Sequence, residues 1–172
     1  MHPAISVIVF TVASGAGFGL LILTALFSAF GIGGGLTASE TLAAGILGLI
    51  LTTVGLLSST FHLANPKNAW RAFNRFRTSW LSREGVFAVV FYPVAVLYFV
   101  GMWFRGGESN APLQGLAVLT AALGLATVFS TGMIYACLRT IRQWNTSLVP
   151  TNYILMGLAS GGALLNVILA LG

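Results

Sequence analysis

Five long apolar stretches, set apart by short polar connections, constrain this chain more than any other feature. They run from Ala4 to Phe30, Thr41 to Leu63, Gly85 to Phe104, Leu113 to Leu138 and Tyr153 to Leu171. A bilayer core about 30 Å thick is crossed by a helix of about 20 apolar residues, so each stretch is long enough to span. Barrel strands alternate apolar and polar positions, and these stretches do not. In hydrocarbon a helix satisfies its backbone polar groups within itself. The predicted fold is therefore all-α: a polytopic transmembrane helix bundle of five spans, forming one integral-membrane domain.

Composition closes the alternatives. Only 6% of the 172 residues are charged and 57% are hydrophobic, against about 25% charged in an ordinary soluble domain. The first stretch is no secretory signal, because no basic segment precedes it and it far exceeds an apolar core of about 7–15 residues. With a single cysteine, Cys137, the chain forms no internal disulfide and cannot supply the thiolates of an iron–sulfur cluster. Any such cluster belongs to a partner. The net charge of +5 does not indicate nucleic acid, since no soluble basic domain or reading helix is visible.

The basic residues instead report topology. Lys67, Arg71, Arg75, Arg77 and Arg83 fall in the second connection, and Arg139 and Arg142 in the fourth. The first connection has no Lys or Arg, and the third has only Arg105. This alternation is what the positive-inside rule requires of consecutive spans. It predicts that the second and fourth connections and the amino terminus are cytoplasmic. Small residues four apart, Gly15 and Gly19, Ala44 and Gly48, Gly157 and Gly161, predict close helix packing. They lack the spacing of a nucleotide-binding glycine loop.

Polar chemistry is concentrated between Phe61 and Gly85, FHLANPKNAWRAFNRFRTSWLSREG, with residues 64–84 as the expected connection. Read as a helix, it sets Lys67, Arg71 and Arg75 in a basic stripe beside Trp70, Phe73, Phe76 and Trp80. One reading is an interfacial segment with aromatics at headgroup level and arginines on anionic lipid. Another is a dock for an extrinsic subunit through Lys67, Arg71, Arg77 and Arg83, and the two are compatible.

His62 closes the second stretch and Glu84 precedes the third, so a helix-loop-helix return places both on one membrane face. Each also fits a plain structural role, complementing a helix dipole. Yet ionisable residues at a membrane boundary are costly and often functional, and Glu84 is one of three acids in the chain. Quinol oxidation releases two protons with two electrons, and an imidazole and a carboxylate beside an apolar slot suit that chemistry. A bis-histidine haem is disfavoured, since His2 and His62 are the only histidines. Zinc, a nucleophile triad and a P-loop have no supporting pattern.

In the same connection the chain resembles the membrane-anchor subunits of the dimethyl sulfoxide reductase family of molybdenum enzymes. The likeness runs in order through His62-Leu63, Pro66, Ala69, Asn74-Arg75, Ser79, Leu81-Ser82 and Glu84. The opening HPAISVIVFTVASGAGFG and the segment Thr140 to Gly157 are also similar to that family. The resemblance implies a bacterial inner-membrane subunit without a redox metal of its own. Such a subunit anchors a molybdopterin catalytic subunit and an iron–sulfur subunit, and exchanges electrons with menaquinone or ubiquinone. It implies a quinone site at His62 and Glu84, with Arg75 binding quinone, headgroup or partner. It also implies about eight helices, of which these are the first five, so the chain is expected to be truncated after Gly172. The rival expectations are a structural anchor without quinone chemistry and a small-solute transporter. Few mid-membrane ionisable groups and no matched inverted halves speak against the transporter.

Overall fold

The computed structural model describes residues 5–60 and 73–172. Five helices form an up-and-down bundle: α1 (Ile5–Phe30), α2 (Ala38–Thr60), α3 (Trp80–Phe104), α4 (Ala111–Ala136) and α5 (Leu148–Leu171). All five are long and apolar enough to cross a membrane, and no strand occurs among the described residues. The chain is thus an all-helical bundle, as its apolar stretches predict.

Helix starts are set by polar residues that apolar counting misses. Thr37 and Glu40 form a capping box: the Glu40 amide donates to Thr37 Oγ1 at 3.2 Å, and the Thr37 amide to Glu40 Oε2 at 2.7 Å. Each side chain thereby satisfies an amide that the first helical turn leaves without a partner. Ser79 caps α3, accepting from the Ser82 amide, and Asn110 caps α4, its Oδ1 accepting from the Leu113 amide at 3.0 Å. Behind its Ser79 cap α3 begins at Trp80, and α5 begins at Leu148 without a side-chain bond from its cap residue Ser147; each starts five residues before its apolar run, and residues 80–84 of the expected connection are helical. The α1–α2 turn carries Gly31, Gly33, Gly34 and Gly35 at φ between 64 and 98°, the left-handed region that glycine enters without steric cost.

Helix α1 is the central element, packed on α2, α4 and α5. Its approach to α5 is backbone on backbone. A Cβ at Gly19 would fall within the Gly157 carbonyl, and one at Gly157 would lie 3.1 Å from the Gly15 carbonyl oxygen. Toward α2, a Cβ on Gly17 would meet Thr52 and one on Gly55 would meet Ser14. The small-residue pairs therefore act as expected, letting helices touch where lipid supplies no hydrophobic drive.

Polar ties fix the register of the remaining helices. Ser28 and Tyr98 share a hydroxyl–hydroxyl bond of 2.5 Å, and Tyr98 also donates to the Ala25 carbonyl at 3.1 Å. Thr53 and Tyr92 join α2 to α3 at 2.8 Å. Phe18 and Phe91 meet edge to face at 5.0 Å in the buried centre. The bundle has two distinct ends. One gathers the starts of α1, α3 and α5 with the finishes of α2 and α4, as the Ser58 hydroxyl bond to the Ser6 carbonyl illustrates. We call it the basic end, because the second and fourth connections lie there.

Candidate functional site

Glu84 lies in the second turn of α3 and is 5% exposed. Five residues beyond the Ser79 cap, it is too far along the helix for a capping-box role. Its side chain meets α4 instead: Thr131 Oγ1 lies 2.5 Å from Glu84 Oε1, and 3.1 Å from the Thr127 carbonyl oxygen.

A hydroxyl carries one proton and two acceptor positions, so Thr131 has two ways to satisfy this arrangement. When Glu84 is ionised, Thr131 donates to the carboxylate. When Glu84 is protonated, the acid donates to Thr131, and Thr131 donates to the Thr127 carbonyl. The site accommodates both protonation states by rotation of one hydroxyl, without leaving a buried donor stranded.

One turn further along α4 stands Tyr135, stacked on Tyr153 of α5 with ring centroids 5.6 Å apart and planes 21° apart. Both phenols lie within electrostatic reach of the Glu84 carboxyl. Trp144 of the fourth connection meets Tyr135 edge to face at 5.3 Å. Sequence reasoning missed Thr131, Tyr135 and Tyr153. Each reads locally as an ordinary residue of an apolar helix, and only packing of α3, α4 and α5 brings them together.

Of the open clefts at the basic end, two beside this seam have walls with several aromatic side chains. The first, of about 470 Å³, lies between the start of α3 and the finish of α4, with walls that include Phe76, Arg77, Trp80, Arg83, Phe87 and Phe129. The second, of about 530 Å³, lies between α1, α4 and α5, and includes Thr11, Tyr135, Trp144, Asn152 and Tyr153.

Of the residues singled out by sequence, His62, Lys67 and Arg71 lie outside the described residues, and so does the expected approach of His62 to Glu84. Arg75 and Arg77 are exposed in the turns leading to α3. Arg83 is engaged locally: its guanidinium donates to the carbonyls of Phe76 at 3.0 Å and Arg77 at 2.9 Å. It also sits 4.0 Å over the Trp80 ring, a cation–π contact. It therefore ties the incoming turn to α3. Cys137 is exposed, and no cluster of three or more metal-ligating side chains occurs among the described residues.

The model of the DMSO reductase anchor subunit family (DmsC) matches residues 1–172. A sulfite dehydrogenase subunit of Allochromatium vinosum is 38% identical over 173 residues, covering 94% of this chain and 53% of that protein. A subunit of the anaerobic dimethyl sulfoxide reductase of Escherichia coli is 26% identical over 134 residues, covering 77% of this chain and 46% of that protein. The chain spans about half the length of these curated relatives. No solved structure matches it. The match along all 172 residues, together with five helices fit to cross a bilayer, identifies this multi-pass membrane protein as a member of the DMSO reductase anchor subunit family.

Proposed function

We propose that this chain is the quinone-reactive part of a membrane anchor for a molybdopterin oxidoreductase complex. In this reading its partners are a molybdopterin catalytic subunit and an iron–sulfur subunit, and its cofactor is menaquinone or ubiquinone. It sits in the bacterial inner membrane with its amino terminus and basic end in the cytoplasm, an orientation supported by seven of its eight basic residues lying in the second and fourth connections.

The observation that carries the reading is Glu84. A carboxyl buried in an apolar bundle is costly to keep and is a functional group by default, and this one has a hydroxyl partner suited to both of its protonation states. The clefts beside it have aromatic walls that match a flat apolar ring. A quinone supplies two-electron, two-proton chemistry. The protein's part is to bind the ring, keep bulk water from it and hold a proton at the Glu84 carboxyl. His62, at the finish of the second apolar stretch, provides a second hydrogen-bonding group to the headgroup. Arg75 and Arg77, exposed at the same end, meet headgroup or partner, together with Lys67 and Arg71. Electrons pass to or from the partner's iron–sulfur clusters, since this chain has no thiolate set to hold one.

Replacing His62 by alanine in the assembled complex tests the assignment. Quinol-linked turnover is expected to be lost, while reduction of substrate with an artificial dye donor to the partner subunits continues. Quinol turnover equal to that of the parent complex refutes a quinone role at this end of the bundle.

A further inference from the structure

The reading above leaves open which cleft takes the ring, and the two differ chemically. In the α3/α4 cleft the polar groups include Arg77, Arg83 and the Ser130 hydroxyl, whose proton is taken by the Ala126 carbonyl at 2.7 Å. A guanidinium only donates hydrogen bonds, and Arg83 is already committed to two carbonyls and the Trp80 face. In the α1/α4/α5 cleft the polar groups include the phenols of Tyr135 and Tyr153 and the amide of Asn152. Phenols and amides both donate and accept. They can therefore donate to the carbonyl oxygens of an oxidised ring and accept from the hydroxyls of a reduced one, whereas an arginine donates to either and accepts from neither.

Position points the same way. Tyr135 is four residues from Thr131, so the two lie on one face of α4, and Thr131 holds Glu84. The phenol pair thus stands between the cleft and the buried carboxyl, within that carboxyl's electrostatic reach. Trp144 and Val149 supply apolar wall.

We infer that the α1/α4/α5 cleft seats the quinone headgroup, with the Tyr135–Tyr153 pair hydrogen-bonded to a ring oxygen and Trp144 against the ring. The inference rests on the quinone-anchor reading and assigns the ring to one of two clefts. Tyr153 is the direct contact and Tyr135 links it to the Glu84 side of α4.

Each cleft has its own tryptophan, Trp144 in one and Trp80 in the other, so contact quenching reports which is occupied. The intact complex, in detergent, is titrated with a short-chain ubiquinone analogue while tryptophan fluorescence is followed. Partner tryptophans give a background common to all variants. The inference expects a saturable component that disappears in Trp144→Phe and persists in Trp80→Phe. It also expects Tyr153→Phe to raise Kd about three- to tenfold, the effect of one hydrogen bond. Loss of the component in Trp80→Phe with retention in Trp144→Phe overturns the inference and leaves the quinone-anchor reading standing, with the ring in the α3/α4 cleft. An unchanged Kd in Tyr153→Phe also overturns it. Absence of any saturable component in the parent complex overturns both.

Discussion

Glu40 and Glu84 each stand near the start of a helix and each engage a threonine, yet they do opposite work. Glu40 is the third residue of α2, one turn from Thr37, and its carboxylate accepts from the Thr37 amide and hydroxyl at an exposed helix end. Glu84 is the fifth residue of α3, out of reach of its cap, and pairs across the bundle with Thr131 of α4. Two positions along a helix rotate a side chain by about 200°, enough to turn a capping group into a buried one paired across the bundle. Residue type and local company are the same. Location relative to the neighbouring helix decides the role.

The sharpest way to break this contrast is to neutralise each acid in turn. Glu84→Gln keeps shape and hydrogen bonding but removes the titrating group. Quinol-linked turnover of the complex is expected to fall on the order of 100-fold or more, the lower range for loss of a proton-handling group, while Glu40→Gln leaves it unchanged. Equal turnover in the two variants, measured spectrophotometrically with dye-linked activity as the control, defeats the distinction.

A smaller effect is expected at the hydroxyl that holds the acid. Thr131→Val preserves shape but leaves the Glu84 carboxyl without its hydroxyl, a loss of about 1–3 kcal/mol for a buried polar group. Turnover is expected to drop about tenfold, with Thr131→Ser restoring most of it. Failure of serine to rescue would mean that the methyl group of Thr131 matters and the hydroxyl does not.

The smallest effect belongs to the capping box. Thr37→Ala is expected to cost about 0.5–2 kcal/mol of stability, visible as a lowered thermal midpoint of the membrane domain, with quinol turnover intact. A turnover defect larger than the stability loss would show that the two ends are functionally coupled.

Much of the architecture is legible in the sequence because span length and hydropathy are local properties. Five apolar runs correspond to five helices, and the paired small residues to the α1–α5 contact. Apolar counting places the starts of α3 and α5 five residues late, since the amphiphilic first turns WLSRE and LVPTN continue a helix beyond its apolar core. Glu84 stands out by rarity. Thr131 cannot, being 47 residues away from it on another helix and identical in kind to the other buried threonines Thr24, Thr41, Thr52, Thr120 and Thr127. The tyrosine pair is hidden in the same way, because an aromatic in a membrane helix signals packing unless its partner is known.

The glycine seam between α1 and α5 has a consequence for the cleft above it. Gly15 and Gly157 meet backbone to backbone, and one turn nearer the basic end the same two helices bear Thr11 and Tyr153, which face the opening. The helices therefore meet backbone on backbone one turn from the opening, a vertex with side-chain walls beyond it. With no flexible side chain at the vertex to rearrange, the two walls hold their spacing before anything binds. In the quinone-anchor reading, a rigid ring entering this opening would spend little of its binding free energy on ordering the protein, so the glycines would contribute to its affinity through geometry.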